Sequence, residues 1–194
     1  MPYLLKFGIF LALFLLSGGL FADKQSARCD LLGLAAHAPA GWTSQPMVEL
    51  PEQMAGCLLT RYDEDDTLLG LQRLMSIQVG DDLPVEQASS RLADLELSIW
   101  EQMGFQVVEP LWRRDDVPMD GSMSAGFSSA TALGMSAVIV ESGLPQEIHL
   151  LLFHRNDIHY AATMLSPRGE AVEAIYQANL AAYQALLASM FVPD

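Results

Sequence analysis

Positive charge is scarce in this sequence. Its 194 residues include 10 Lys and Arg against 24 Asp and Glu, which gives a formal net charge of −14 at pH 7. Such a chain repels nucleic acid and anionic lipid headgroups unless its few cations form a patch. The arginine pair Arg113-Arg114 is followed directly by Asp115 and Asp116, so no such patch is visible. We therefore predict no nucleic acid partner and no binding to membrane surfaces.

Motifs for catalysis are lacking as well. The run GSMSAG from Gly121 to Gly126 places Ser124 three residues after one glycine and two before the other, which is not the Gly-x-Ser-x-Gly spacing of a nucleophile elbow. No acid–base pair or glycine-rich phosphate loop stands out elsewhere. We predict no catalytic residues and no cofactor, and keep a hydrolase of unrecognised type as the most remote alternative.

Metal-ligand patterns are incomplete. His154 and His159 flank a tight turn and would face each other across a hairpin, but a transition-metal site needs more ligands than this pair. The acidic run from Asp63 to Asp66 fails as an EF-hand loop, because its sixth and twelfth positions are Leu68 and Leu74 instead of Gly and Glu. We predict no metal site and retain His154 and His159 only as candidates, with two solvated turn histidines as the alternative.

Strongly hydrophobic segments are absent after residue 22, but one precedes it. A first stretch that contains Lys6 is followed by the apolar run from Phe7 to Leu16, by a Ser-Gly-Gly break and by Ala22. This three-part pattern is typical of a cleaved secretory signal peptide. We predict a signal peptide over residues 1–22 and an exported protein, with the periplasm as its location.

The alternative to cleavage is an anchor in the inner membrane over residues 3–22, since a spanning helix needs about 20 apolar residues. Cleavage would leave a polar tail at 23–30 and a single domain at 31–194. It would also remove the charge of Lys6 and take the net charge from −14 to −15. What remains would have no sequence-visible means of holding a membrane.

Cysteine occurs only at Cys29 and Cys57. Export to an oxidising compartment favours a disulfide between them, and two free buried thiols are the alternative. A bridge that closes a loop of this length would stabilise the fold by about 3–4 kcal/mol in the chain-entropy model.

Two helices stand out among many short strands. Pro84 can occupy the first turn of the first helix, with Asp82 as its cap, and Gly104 can end it. Ser166-Pro167 looks like the start of the final helix. The stripes predicted to be buried are Val85, Ala88, Leu92, Leu95, Ile99 and Met103 in the first helix and Val172, Tyr176, Leu180, Tyr183, Leu187 and Met190 in the second.

The strands are predicted at 31–37, 57–62, 68–79, 105–112, 122–133, 135–141, 147–153 and 158–165. Consecutive hairpins give an antiparallel sheet, and both helices must bury a stripe against it. The predicted fold class is therefore α+β: an antiparallel sheet of about six to seven strands with two main helices packed on it.

This element order resembles the PsbP-like superfamily, which includes the extrinsic P subunit of photosystem II, the Ran-binding Mog protein and DcrB-like bacterial envelope proteins. The landmarks are Pro39-Ala40-Gly41-Trp42 after an early strand, the helix ended by Gly104, Tyr160 in a late hairpin and Ser166-Pro167 before a closing helix. The resemblance covers roughly residues 31–192. It implies a protein without catalysis that binds or stabilises a larger assembly, and it supplies no catalytic residue set.

Two places are predicted to make contacts. Trp112 lies beside Arg113 and Arg114, and such trios are enriched at protein interfaces, although a half-buried strand aromatic is the alternative. Tyr176 and Tyr183 would line a pocket between the sheet and the final helix. We predict an exported, non-enzymatic envelope protein that binds an unknown protein partner or supports an envelope assembly. The alternative is a periplasmic carrier of a small apolar ligand.

Overall fold

The computed structural model describes residues 28–79, 84–117 and 130–193. These residues contain nine strands in two sheets: β1 (Arg28–Leu31), β2 (Leu34–His37), β3 (Thr43–Pro46), β4 (Met54–Tyr62), β5 (Leu68–Gln78), β6 (Phe105–Val117), β7 (Ala130–Ile139), β8 (Pro145–Arg155) and β9 (Ile158–Pro167). The helices are α1 (Val85–Gln102) and α2 (Glu173–Ala188), and a 3-10 turn at Glu170–Val172 precedes α2.

The main sheet has seven antiparallel strands in the order β3-β4-β5-β9-β8-β7-β6, so β6 forms one edge. With two helices packed on this sheet, the predicted α+β class is confirmed. The signal peptide predicted at 1–22, Asp82 and the serines of GSMSAG lie outside the described residues. Within the described ranges, no helix is long and apolar enough to cross a bilayer.

Each face of the sheet carries its own core, because alternate strand residues point to opposite sides. Helix α1 covers one face and places Leu92 and Trp100 against Leu71, Ile148 and Leu165 and their neighbours. Helix α2 and the β1–β2 hairpin cover the other face, where the buried side chains are Leu74, Phe153, Tyr160, Met164, Tyr183 and Leu186.

Cys29 and Cys57 are joined in a disulfide with a Cα–Cα distance of 5.8 Å, as predicted. The bridge ties β1 to β4. Phe191, which follows α2, pairs with Ala35 of β2. The β1–β2 hairpin is therefore linked to the main sheet by the disulfide and to the segment after α2 by this pair.

Several predicted boundaries are wrong. The strand predicted at 31–37 is two strands, because the chain turns at Gly33, whose φ is +62°. The two strands predicted at 122–133 and 135–141 meet in a single strand, β7, which runs through Gly134. Strand β3 was not predicted at all.

The ends of the helices differ from the prediction in one case. Helix α1 follows Pro84 directly and stops just before Gly104, whose φ of +88° suits a terminating glycine. The final helix, however, begins at Glu173 and not at Ser166-Pro167. Ser166 and Pro167 still pair with β8, opposite Glu147 and Gln146.

Candidate functional site

An open apolar groove lies between helix α2 and the edge of the sheet formed by β6, β7 and β8. Its volume is about 170 Å³. We call this site the groove. It is lined by Trp112, Ala132, His149, Leu150, Leu151, Leu180, Tyr183, Gln184 and Leu187. The groove exists because α2 packs mainly over β9 and β5, so the last three strands of the sheet are only partly covered.

Trp112 reaches the groove across a glycine. Its register partner on β7 is Gly134, and the partner of Gly134 on β8 is His149. A Cβ atom at position 134 would overlap the Trp112 indole, so the ring occupies the space that a larger residue at 134 would fill. The indole then meets the His149 ring edge-on at 5.3 Å between centroids. The glycine therefore decides where Trp112 can lie.

A polar cluster lies beside the groove and shares His149 with it. His149 Nε2 lies 2.6 Å from Glu147 Oε1, and the Tyr176 hydroxyl donates to the same oxygen at 2.8 Å. Arg168 Nε binds the other oxygen of Glu147 at 2.8 Å, and its guanidinium lies 4.0 Å over the Tyr176 ring. Arg168 also pairs with Glu173 at the start of α2. The cluster thus fixes the first turn of α2 to strand β8.

The electrostatics of the two predicted pocket tyrosines follow from their surroundings. Burial, together with the carboxylate of Glu147, raises the pKa of Tyr176 to about 12. Burial also raises the pKa of Tyr183, whose hydroxyl donates to the backbone oxygen of Ala162 at 2.7 Å. Both hydroxyls stay protonated at neutral pH and serve as fixed donors. Tyr183 lines the groove, whereas Tyr176 stands behind it in the polar cluster.

The three residues of the predicted interface, Trp112, Arg113 and Arg114, have different surroundings in the structure. Trp112 is half-buried in the groove, and the Arg114 guanidinium lies 5.7 Å from its ring centroid. Arg113 is exposed and forms an ion pair with Asp115 at 2.9 Å. Trp112 and Arg114 therefore share the rim of the groove, while Arg113 is engaged with its own strand.

The predicted histidine pair lies elsewhere. His154 and His159 are register partners across the β8–β9 hairpin, and their rings stack at 5.4 Å. His159 is only 3% exposed, and burial, followed by the neighbouring His154, lowers its pKa. Within the described residues no group of three or more His, Cys, Asp or Glu could hold a metal ion. The acidic run forms a local turn in which Asp63 Oδ1 accepts from the backbone of Asp65 and Thr67.

Sequence reasoning missed the polar cluster. Glu147 and His149 stand two residues apart on one strand, which puts both side chains on the face that α2 covers. That spacing was visible, but it gains meaning only with Tyr176 and Arg168, which come from later in the chain. The pocket tyrosines and the interface tryptophan were predicted as separate features, and the sheet order brings Trp112 and Tyr183 to the same groove.

The fold and the groove together define an α+β sandwich domain with an open apolar site beside the last helix of the described residues. No protein-family model matches the chain, and no curated protein matches it. Solved structures similar to it include a protein from Bacteroides thetaiotaomicron, with 14% identity and a TM-score of 0.47 over 88% of this chain. This chain spans half, 50%, of that protein's length.

The Ran-binding protein Mog1p of Saccharomyces cerevisiae is also similar, with 11% identity and a TM-score of 0.47 over 84% of this chain and 91% of that one. A point mutant of protein Mog1 matches with 11% identity and a TM-score of 0.45 over 84% and 92% of the two chains. Identities this low do not transfer a function, because one fold serves many functions.

Proposed function

We propose that this protein is a non-enzymatic binding protein whose groove receives a side chain of a protein partner. One observation carries the proposal: a half-buried tryptophan, Trp112, borders an open apolar groove beside the final helix. Aromatic side chains next to apolar recesses are typical of the energetically dominant parts of protein interfaces. The groove is also partly open to solvent, as a site for a segment of another protein must be.

The size of the groove favours a protein partner over a carried small ligand. Pockets for small molecules generally measure about 300–1,000 Å³ and enclose most of the ligand. A volume of about 170 Å³ is smaller than that range. It suits a single side chain anchored from outside.

The polar groups beside the groove support a binding role over catalysis. Glu147 is bound on both of its oxygens, by His149 and Tyr176 on one and by Arg168 on the other. A carboxylate held in this way orients its neighbours and is poorly placed to exchange protons with a substrate. The cluster is therefore best understood as a support for the groove wall.

The proposal extends to location and family. The disulfide between Cys29 and Cys57 supports export to an oxidising compartment, because such bonds persist there and are rare in the cytosol. We place the protein in the periplasm, in support of an envelope assembly, and in the PsbP-like superfamily. The sequence landmarks and the order of elements support that family.

Site-specific photo-crosslinking in intact producing cells tests the binding role. Gln184 lines the groove, and the exposed neighbour Ala185 points about 100° away around the helix. A crosslinking amino acid at 184 should give a protein adduct of defined mass that is absent with the same group at 185. Trp112→Ala should weaken the adduct at 184. Equal adducts at both positions, or none at either, would contradict the proposal.

The location has its own test. The mature protein should begin at Asp23, after loss of residues 1–22, and should fractionate with soluble periplasmic proteins. N-terminal sequencing and intact mass check this directly. A protein that begins at Met1 and sediments with membranes would require the anchored alternative over residues 3–22.

A further inference from the structure

One of the residues that line the groove, His149, carries a hydrogen-bond acceptor. Glu147 Oε1 lies 2.6 Å from His149 Nε2, and an ionised carboxylate can only accept, so the network assigns the proton of the neutral imidazole to Nε2. Nδ1 is then an acceptor, and within the described part of the chain it has no hydrogen-bond partner. The His149 side chain lines the groove and keeps 12% of its surface exposed.

The groove is the size of one aromatic ring. A dry cavity of about 150 Å³ lined by aliphatic and aromatic side chains is large enough to bind benzene. This groove measures about 170 Å³ and is lined mainly by aliphatic and aromatic side chains. Trp112 and Tyr183 border the groove with aromatic rings. Pairs of aromatic rings prefer offset or edge-to-face arrangements, so both side chains can pack against an aromatic occupant.

Arg114 borders Trp112 at the rim, and no ion pair joins it to a carboxylate of the described residues. The nearest buried acid, Glu147, is neutralised by Arg168. Asp115 and Asp116 follow Arg114 in β6, and Asp115 is engaged by Arg113. Salt screens exposed charges beyond about 8 Å at physiological ionic strength, so more distant acidic residues have little influence here. The Arg114 guanidinium is therefore available to pair with an anionic group on the partner.

From these three features we infer that the occupant of the groove is a tyrosine side chain of the partner, with an acidic residue next to it in the partner's chain. The ring lies between Trp112 and Tyr183, the phenol donates to Nδ1 of His149, and the neighbouring carboxylate pairs with Arg114. This inference rests on the proposed function and names the chemistry of its partner. A phenylalanine in the same place would leave the acceptor unpaired.

Three small probes separate the contributions of the phenol and the carboxylate to binding. N-acetyltyrosine carries the phenol and a carboxylate, N-acetylphenylalanine lacks the phenol, and N-acetyltyrosinamide lacks the carboxylate. Binding is followed by NMR through the indole N–H of Trp112, since Trp42 and Trp100 are only 7% and 0% exposed. We expect loss of the phenol to weaken binding about three- to tenfold and loss of the carboxylate to weaken it about two- to fourfold.

Two variants assign these preferences to their residues. His149→Phe should abolish the preference for the phenol, and Arg114→Gln should abolish the preference for the carboxylate. If the phenylalanine probe binds as tightly as the tyrosine probe to the unaltered protein, the tyrosine inference is wrong while the groove remains a binding site. If no probe gives a saturable shift of Trp112, the proposed function itself loses its site.

Discussion

Arg73 and Glu96 form an ion pair that is excluded from solvent, with side chains that are 1% and 0% exposed. Arg73 lies on β5 and Glu96 on the buried side of α1, where Thr163 of β9 donates to the same carboxylate oxygen at 2.7 Å. The Arg73 guanidinium lies 5.1 Å from the ring centroid of Trp100. Burial raises the pKa of Glu96, although Arg73 and Thr163 both act in the opposite direction.

Removal of one partner of this pair should destabilise the fold strongly, whereas replacement of both by apolar residues should have a small effect. Glu96→Ala leaves Arg73 buried without its counter-charge, so we expect the free energy of unfolding to fall by about 3–5 kcal/mol. The double variant Arg73→Met/Glu96→Leu leaves no buried charge and should lose far less than the single variants Arg73→Met and Glu96→Leu together. Urea unfolding at pH 7 compares these three variants and Glu96→Ala with the unaltered protein.

A milder variant keeps this test usable if Glu96→Ala does not fold. Glu96→Gln retains a side-chain oxygen for Arg73 and Thr163 and should be less destabilised than the alanine variant. If the double variant cost as much as the sum of the single ones, the ion pair would not be the source of the loss.

His159 should make the protein less stable in mild acid. Its pKa is lowered from 6.5 in the folded state, by burial first and then by His154, with Asp157 acting in the opposite direction. Below pH 6.5 the unfolded chain therefore binds the proton more readily than the folded one, and stability falls as the pH decreases from that value. The urea midpoint should fall between about pH 6.5 and 5.5 in the unaltered protein.

Replacement of His159 identifies the group responsible. His159→Gln should flatten the dependence of the urea midpoint in this window, whereas His37→Gln, at an exposed position on β2, should leave it in place. An unchanged slope in His159→Gln would assign the effect to another group.

The disulfide should contribute about 3–4 kcal/mol, because it closes a loop of 28 positions and its two cysteines are almost completely buried. Cys29→Ala/Cys57→Ala should unfold at lower urea than the unaltered protein. A reductant should shift the unaltered protein towards the variant and leave the variant where it is. A shift of both proteins by the same amount would mean that the reductant acts elsewhere.

Local patterns predicted the elements well where local sequence decides them. The break at Gly104 and the proline before α1 follow from backbone chemistry alone, and both are confirmed. The stripe of α1 was predicted less well. Its buried residues are Ala88, Leu92, Glu96 and Trp100, and the predicted stripe contains only the first two of them. Arg73, the partner of Glu96, lies 23 positions earlier, so no pattern within the helix reveals the pair.

The wrong predictions around the groove also arise because residues that contact each other in the fold lie far apart in the sequence. The strands predicted at 122–133 and 135–141 leave Gly134 between them, and glycine in the interior of a strand generally weakens it. Gly134 is instead the point where Trp112 of the adjacent strand occupies the space of a larger side chain. Ser166-Pro167 resembles a helix start, yet pairing with β8 keeps it in a strand. Trp112 and Tyr183 were each identified, but only the order of strands in the sheet shows that they share a groove.

Gly134 therefore offers a direct test of how the groove is built. Gly134→Ala places a methyl group where the Trp112 indole lies, so the ring must move, and we expect a loss of about 1–3 kcal/mol in the free energy of unfolding. In a Trp112→Ala background the obstacle is gone. Alanine should then be neutral or stabilising, because glycine in a strand costs roughly 0.5–1 kcal/mol relative to alanine.

The two backgrounds form a double-mutant cycle, which isolates the coupling between Gly134 and Trp112. Urea unfolding gives the coupling free energy, and tryptophan emission reports the displaced indole as a red shift. Binding of N-acetyltyrosine should weaken in Gly134→Ala, since the ring that borders the groove has moved. If Gly134→Ala is equally destabilising with and without Trp112, strain in β7 itself is responsible and the glycine does not position the indole.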